Sequence, residues 1–218
     1  MKREKPIAAL FDFDGVVMDT EPQYSIFWGE QGRKYHPEIE HFELIIKGQT
    51  LQQIFDKHFT GMTEVQLQIC RELDEYEKRM DYQYITGIEN FVKTLKNQGV
   101  KTAVVTSSNN KKMECVYQTH PELTELFDRI LTADMFARSK PNPDCFLLGA
   151  EVFDTVPENC LVFEDSFHGI EAGKRAGMTV IALATTNPTH TLIDKAHEVI
   201  ENFSQATWED MEKWINKN

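Results

Sequence analysis

Apolar residues fall into two regimes along this chain. Ile7 to Phe11 is a continuous apolar run, the pattern of a strand covered on both faces, and it stops abruptly at Asp12, Phe13, Asp14 and Gly15. Between residues 22 and 84 no strand pattern stands out and helical spacing takes over. Tyr24, Phe27, Trp28 and Gln31 can share one helix face, a shorter helix is expected from Glu38 to Ile46, and Lys47-Gly48-Gln49-Thr50 breaks the pattern. Thr50 is expected to cap a third helix carrying Leu51, Ile54, Phe55 and Phe59. Thr63-Glu64-Val65-Gln66 has capping-box form and opens a fourth, with Val65, Ile69, Leu73, Tyr76 and Met80 spaced by threes and fours. These stripes read as helix-on-helix core, which makes the segment a helical insert after the first strand.

From Gly87 onward strands and helices alternate, the pattern of a parallel sheet covered on both faces. A helix from Ile88 to Gln98 ends at Gly99, and Val100 to Thr106 is the second strand. Arg129 to Thr132, Leu161 to Phe163 and Met178 to Ala184 follow as strands, a helix is expected over 143–153, and the remainder to Asn218 completes the outer layer. The expected fold class is therefore α/β, a parallel sheet core formed by residues 1–20 and 85–218, with a helical domain over 21–84.

Chemistry collects where the strands end. In open parallel sheets, ligands bind beyond the carboxyl ends of the strands. Asp12 and Asp14, two apart on an extended segment, can face one site, and such a pair calls for positive charge nearby, for which a divalent ion with oxygen ligands is the economical source. Asp followed by Gly is also ordinary turn chemistry. Thr106-Ser107-Ser108-Asn109, between a strand and a helix, suits a phosphate cradle, while the same residues are good helix caps. Lys140 sits between Ser139 and Pro141-Asn142-Pro143, a rigid turn that would aim its ammonium, although most lysines simply face solvent. Glu164-Asp165-Ser166 ends another buried strand. Two strands thus end in acids, one ends in hydroxyls, and one loop carries a fixed lysine.

Composition narrows the classes. In 218 residues, 35 acidic against 23 basic side chains give a net charge of −12, which argues against nucleic-acid or anionic-membrane partners while leaving room for a local phosphate pocket. Cys70, Cys115, Cys145 and Cys160 lack metal-ligand spacing and read as reduced thiols of the cytoplasm. No apolar stretch reaches membrane-spanning length, and the first strand comes too early for a signal peptide.

Asp-Phe-Asp-Gly-Val-Val-Met-Asp, Thr-Ser-Ser-Asn, Lys-Pro-Asn-Pro-Asp and Glu-Asp-Ser-Phe-His-Gly-Ile-Glu-Ala-Gly occur in that order between residues 12 and 173. In these four motifs the chain resembles haloacid dehalogenase superfamily hydrolases, in the branch of β-phosphoglucomutase and its sugar-phosphate phosphatase relatives. The resemblance implies a Rossmann-like core with an inserted helical cap. It implies Asp12 as nucleophile and Asp14 as the acid and base. Mg²⁺ would be held by Asp12, the Asp14 carbonyl and Asp165, with Glu164 bound directly or supporting from behind. The Thr106 hydroxyl, the Ser107 amide and Lys140 would hold phosphoryl oxygens.

Departures from the family pattern sharpen the expectation. Asp14 argues against a dehalogenase, which lacks an acid there, and against a phosphonatase, which has a small residue. Tyr24 stands where the mutase carries a His. Lys47-Gly48 matches the mutase, but Leu51 falls on or near its phosphate-binding Arg, so a second phosphate would lose its bidentate partner. The expectation is a cytoplasmic Mg²⁺-dependent phosphatase of small phosphorylated metabolites, its leaving group chosen by Glu21, Tyr24, Lys47 and Gln49. A phosphomutase and a non-catalytic phosphate-binding module are the alternatives.

Overall fold

The computed structural model describes residues 5–216. Strands β1 (Ala8–Phe11), β2 (Lys101–Val105), β3 (Arg129–Leu131), β4 (Cys160–Glu164), β5 (Thr179–Leu183) and β6 (Glu198–Ile200) form one sheet in the order β3-β2-β1-β4-β5-β6, all pairs parallel. The helices are α1 (Glu21–Tyr35), α2 (Phe42–Ile45), α3 (Leu51–His58), α4 (Thr63–Glu77), α5 (Ile88–Asn97), α6 (Asn110–Thr119), α7 (Leu123–Leu126), α8 (Asp144–Glu151), α9 (Phe167–Arg175), α10 (Thr189–Leu192) and α11 (Trp208–Ile215).

Alternation along the strands divides the core in two. Phe11 and Phe163, paired in register, stack with centroids 4.6 Å apart and meet Phe91, Phe203 and Trp214 beneath α5 and α11. Leu10 and Val162 point the other way, into Phe146 and Ile170 of α8 and α9. A strand flanked by strands and covered on both faces has no solvent side, which is why β1 is apolar without interruption.

The order of the strands positions the site. The chain leaves β1 for β2 and β3 on one side, then crosses back to β4, β5 and β6 on the other, so the sheet reverses direction of growth at β1. The loops after β1, β2 and β4 therefore open into one crevice.

Helices α1 to α4 build a core of their own from Phe27, Trp28, Phe42, Ile54, Phe55, Phe59, Ile69 and Leu73. Gly32 lets α1 and α2 touch, since a Cβ there would stand 2.5 Å from the Phe42 Cβ. Thr50 caps α3 in a complete capping box with Gln53, as its position predicts.

Three expectations need correction. The capping box expected at Thr63 does not form: α4 begins at Thr63 itself, Met62 occupies the cap, and the Gln66 amide is spent on the Phe59 carbonyl at 2.8 Å. The helix expected from Glu38 shrinks to Phe42–Ile45, because turns fill 37–41 and His41 adopts a left-handed φ of 52°. The sixth strand escapes periodicity because Glu198-Val199-Ile200 is too short to show one, and it is built by its register on β5.

Candidate active site

The Asp12 amide donates to the Phe163 carbonyl at 2.9 Å, continuing the ladder one residue past β1, so its carboxylate stands just beyond the sheet. Asp12 is 8% exposed and Lys140 only 1%. The Lys140 ammonium lies 2.6 Å from Asp12 Oδ1, 2.7 Å from Glu164 Oε1 and 3.2 Å from the Val105 carbonyl. Buried and drawn to two carboxylates, Lys140 is no surface lysine. Burial pushes the Asp12 carboxyl up to about 7 against the pull of Lys140. Burial alone would lower Lys140, yet Asp12 and Glu164 carry it above the usual lysine value, and it stays cationic.

Glu164 works from behind. Its Oε2 accepts from the amides of Asp165 and Ser166 and from the Ser166 hydroxyl, each at 2.9 Å, while Oε1 takes Lys140. Gly169 makes room for it: a Cβ there would fall inside the Glu164 carboxylate. Gly169→Ala is therefore expected to destabilise the protein by about 1–3 kcal/mol or more, as overpacked sites do, read as a fall in the urea midpoint. A midpoint equal to wild type would sink this account of Glu164.

Asp165 faces the cavity with its Oδ2 held by the Thr186 hydroxyl and its main-chain oxygen by Asn187 Nδ2 at 2.9 Å. Burial and the charges of Glu164, Glu21 and Asp12 push its carboxyl well up. One oxygen each from Asp12, Glu164 and Asp165 lie within 4.8 Å of one another. The main chain at Gly15, φ 75°, passes so close that a Cβ would run into the Asp165 carboxylate. Three buried carboxylates against one ammonium leave the cluster short of positive charge, and all-oxygen donors suit a hard divalent cation. The residues present fit Mg²⁺.

Asp14 lines the same cavity as Asp12, as the two-residue spacing predicts. Its Oδ1 accepts from the Thr20 hydroxyl at 2.5 Å, its Oδ2 from the Ser108 hydroxyl at 3.1 Å, and Lys112 Nζ reaches both oxygens at 2.5 and 2.6 Å. Thr106 is fully buried, and its hydroxyl oxygen accepts from the Ser108 amide at 2.9 Å. The Ser107 hydroxyl is buried, has no partner among the described residues, and belongs to a residue lining the cavity, an uncommon state for a polar atom where nothing binds. Asn109 caps α6 by accepting from the Lys112 amide at 3.0 Å.

Above these groups lie the insert helices. Glu21 and Lys47 form an ion pair at 2.8 Å, and the Lys47 carbonyl meets His168 Nδ1 at 3.1 Å. Gly48, φ 73°, brings the loop onto the start of α9, where a Cβ would stand 2.6 Å from Ser166 Oγ. The Gln49 amide donates to the Ile45 carbonyl at 2.7 Å, and Tyr24 donates to Glu77 at 2.8 Å. Gln53, while closing its capping box, also donates to the Lys140 carbonyl at 2.9 Å. Between the two bodies is a cavity of about 710 Å³, lined by Asp12, Asp14, Ser107, Ser108 and Asp165 below and by Glu21, Tyr24, Trp28, Lys47, Gln49 and Glu77 above.

Sequence reasoning missed Thr20, Lys112, Thr186, Gln53 and Glu77. Lys112 had one usable signal: three residues after the cap Asn109, it stands in the first turn of a helix whose start faces the site.

Fold and site together define an α/β enzyme with a cavity between the sheet and the inserted helices, and Asp12 and Asp14 line that cavity at the point where the sheet reverses. A match to the haloacid dehalogenase-like hydrolases covers residues 9–183, and the chain belongs to that family. It is 29% identical over 183 residues to the phosphorylated carbohydrates phosphatase of Thermotoga maritima, covering 78% of this chain and 82% of that protein. Against hexitol phosphatase A of Escherichia coli the identity is 26% over 202 residues, with 91% and 92% covered. The chain spans about half, 53%, of the bifunctional riboflavin kinase/FMN phosphatase of Arabidopsis thaliana, 29% identical over 215 residues and 94% of this chain. A family IA, variant 3 haloacid dehalogenase hydrolase from Entamoeba histolytica superposes with a TM-score of 0.83 at 25% identity over 96% of this chain and 99% of its own. β-Phosphoglucomutase from Clostridium difficile shares the fold, with a TM-score of 0.79 at 23% identity and 97% of each chain covered. No helix among the described residues is long and apolar enough to cross a membrane.

Proposed function

We propose that the protein is a cytoplasmic, Mg²⁺-dependent phosphatase of small phosphate monoesters, sugar or polyol phosphates, working through a phosphoryl group carried on Asp12. The observation that carries this reading is the Asp12 carboxylate on the cavity floor, fixed by Lys140 at 2.6 Å, with Asp14 held beside it in the same cavity.

Asp12 attacks phosphorus as the bond to the leaving alcohol oxygen breaks, and Asp14, entering this step protonated, gives that oxygen its proton and becomes the carboxylate that pairs with Lys112. Asp14 then accepts a proton from water as the water attacks phosphorus, the bond to Asp12 breaks, and phosphate leaves. Lys140, the Thr106 hydroxyl, the Ser107 amide and the unpartnered Ser107 hydroxyl would receive phosphoryl oxygens. Asp12, Asp165 and the Asp14 carbonyl would hold Mg²⁺, with Glu164 bracing the group, and the bound ion would neutralise charge on the transferring phosphoryl group. The lid excludes bulk water and selects the leaving group through Glu21, Tyr24, Lys47 and Gln49.

Two features favour water as acceptor over a second sugar phosphate. No arginine among the described residues lines the cavity, and its lysines are already engaged, Lys47 with Glu21, Lys111 with Asp74 and Lys112 with Asp14. The relatives from Thermotoga maritima and Escherichia coli, phosphatases of phosphorylated carbohydrates and of hexitols by name, support a polyhydroxylated leaving group.

The test is phosphate release from sugar, polyol and nucleotide monophosphates, with Mg²⁺ and with chelator. Chelation is expected to reduce release to background and Mg²⁺ to restore it. Release unaffected by chelator would remove the metal from this reading, and no release from any ester would remove the phosphatase.

A further inference from the structure

Away from the cavity, the helical insert closes around two histidines. His36 follows the last residue of α1, His58 is the last residue of α3, and neither lines the cavity over Asp12. The His36 ring stacks on Phe42 of α2 with centroids 5.4 Å apart and an interplanar angle of 14°, while His58 meets the same Phe42 in a T-shape at 5.1 Å. Phe59 completes the group, 4.8 Å from His36 and 6.0 Å from Phe42, and the two imidazole centroids are 6.2 Å apart. Phe42 and Phe59 are buried, so α1, α2 and α3 meet here around apolar rings.

The Nε2 atoms of both histidines are buried and have no partner among the described residues. His36 Nδ1 lies 3.1 Å from Glu38 Oε1, which places the ring proton on Nδ1 and leaves Nε2 as a bare lone pair. A bare lone pair in an apolar box costs little. An added proton turns the same atom into a charged donor facing no acceptor, which costs far more. The Phe42 face can attract one imidazolium, but it offers no acceptor, and a second charge on the neighbouring ring would repel the first. The charged groups nearby do not offset this. Lys57 precedes His58 and repels it, Lys34 of α1 pairs with Glu72 of α4 at 3.6 Å, and His41 and Glu43 face each other at 3.3 Å at the start of α2. Glu38 reaches His36 through Nδ1 from an exposed position.

We propose that His36 and His58 form a pH-sensitive latch on the insert, holding α1, α2 and α3 together while both rings are neutral and releasing them, with the sheet still folded, once they take up protons. The insert has a core of its own, so it can open as a unit. Burial, then Lys57 and His36, hold His58 below the usual histidine range, whereas the released segment binds its proton near the ordinary value of about 6.5. The latch is therefore at full strength above that value and weakens as pH falls from there toward the lower value of the fold. Tyr24 in the first turn of α1 lines the cavity, and Gln53 in that of α3 bonds the Lys140 carbonyl. Release at the far ends of these helices thus loosens the roof of the cavity.

Hydrogen exchange of the intact protein at about pH 7.5 and about pH 5.5, either side of the ordinary histidine value and corrected for intrinsic rates, tests the latch. Exchange over 21–58 is expected to rise several-fold at the lower pH while β1 and β4 stay protected. His58→Phe, which keeps a ring and removes the titrating nitrogens, is expected to lose most of that rise. No rise, an equal change in insert and sheet, or an undiminished rise in the variant would overturn the proposal. Ring ¹⁵N shifts of wild type make the test independent of any variant, since they report protonation directly. Both rings are expected to be neutral at the higher pH, and insert protection to fall as they take up protons. Protonated rings under a still-protected insert, or a ring already charged at the higher pH, would overturn it equally. No ester enters either measurement, so the latch and the phosphatase reading stand or fall separately.

Discussion

Asp12→Asn is expected to abolish phosphate release, by on the order of 10⁴-fold or more in kcat, while leaving the protein folded. The amide matches the carboxylate in shape and can still face Lys140, but it lacks the nucleophilic oxygen. Its effect on stability should run opposite to its effect on activity. Wild type buries Asp12 close to two further acids, and burial already pushes the Asp12 carboxyl up to about 7. Removing that charge relieves repulsion in the cluster, and Lys140 keeps Glu164 at 2.7 Å. In chelator, Asp12→Asn should therefore melt at or above the wild-type temperature, and added Mg²⁺ should raise wild type more than the variant. Phosphate release and thermal melts on the same samples decide this. A variant that still turns over would mean that Asp12 is not the nucleophile, whereas one that fails to fold would mean that the carboxylate is structural.

What the sequence made legible follows from which interactions are local. β1 is readable because strands on both sides leave it no polar position, and the acids that end it mark its boundary. Helix α3 is readable because Thr50 and Gln53 satisfy each other three residues apart. Asp12, Asp14, Ser107, Lys140 and Asp165 could be gathered in advance because strand ends in a parallel sheet share one edge. Lys112 could not be from hydropathy, its place three residues after the cap Asn109 being the one signal it left. Asn-Asn-Lys-Lys-Met reads as a solvated helix start, and only the descent of α1 and α4 onto it buries one lysine and leaves its neighbour exposed. Gln53 escaped for the same reason: its bond to the Lys140 carbonyl joins residues 87 apart. The β6 strand and the helix expected from Glu38 fail differently, since three residues carry no period and a left-handed His41 leaves no mark in hydropathy. Contacts made by the inserted helices on the core are the part a linear pattern does not encode.

Lys140→Met is expected to be the most damaging single change to the fold at this site. Methionine has nearly the length of lysine and an apolar stem, so the volume is kept while the charge is removed, together with the ammonium's contact with the Phe146 ring 5.1 Å away. The ammonium is the cation that Asp12 and Glu164 share, at 2.6 and 2.7 Å, with Glu164 fully buried. Breaking a buried pair from one side strands the remaining charge and typically costs about 3–5 kcal/mol, because desolvation is no longer offset. At about 2–4 °C per kcal/mol for a chain of this size, the melting temperature should fall by roughly 6–20 °C. Mg²⁺ should recover part of that loss, since it would bring positive charge to the same carboxylates. Combining the change with Asp12→Asn should also recover part of it, by removing one of the stranded charges. Activity should be lost in the single variant even at temperatures where it is folded, because Lys140 is also a proposed donor to the phosphoryl oxygens. A melt within a degree or two of wild type in chelator would contradict the burial and pairing on which both effects depend. A stable but inactive protein would leave the phosphoryl role intact and confine the error to the electrostatics of the fold.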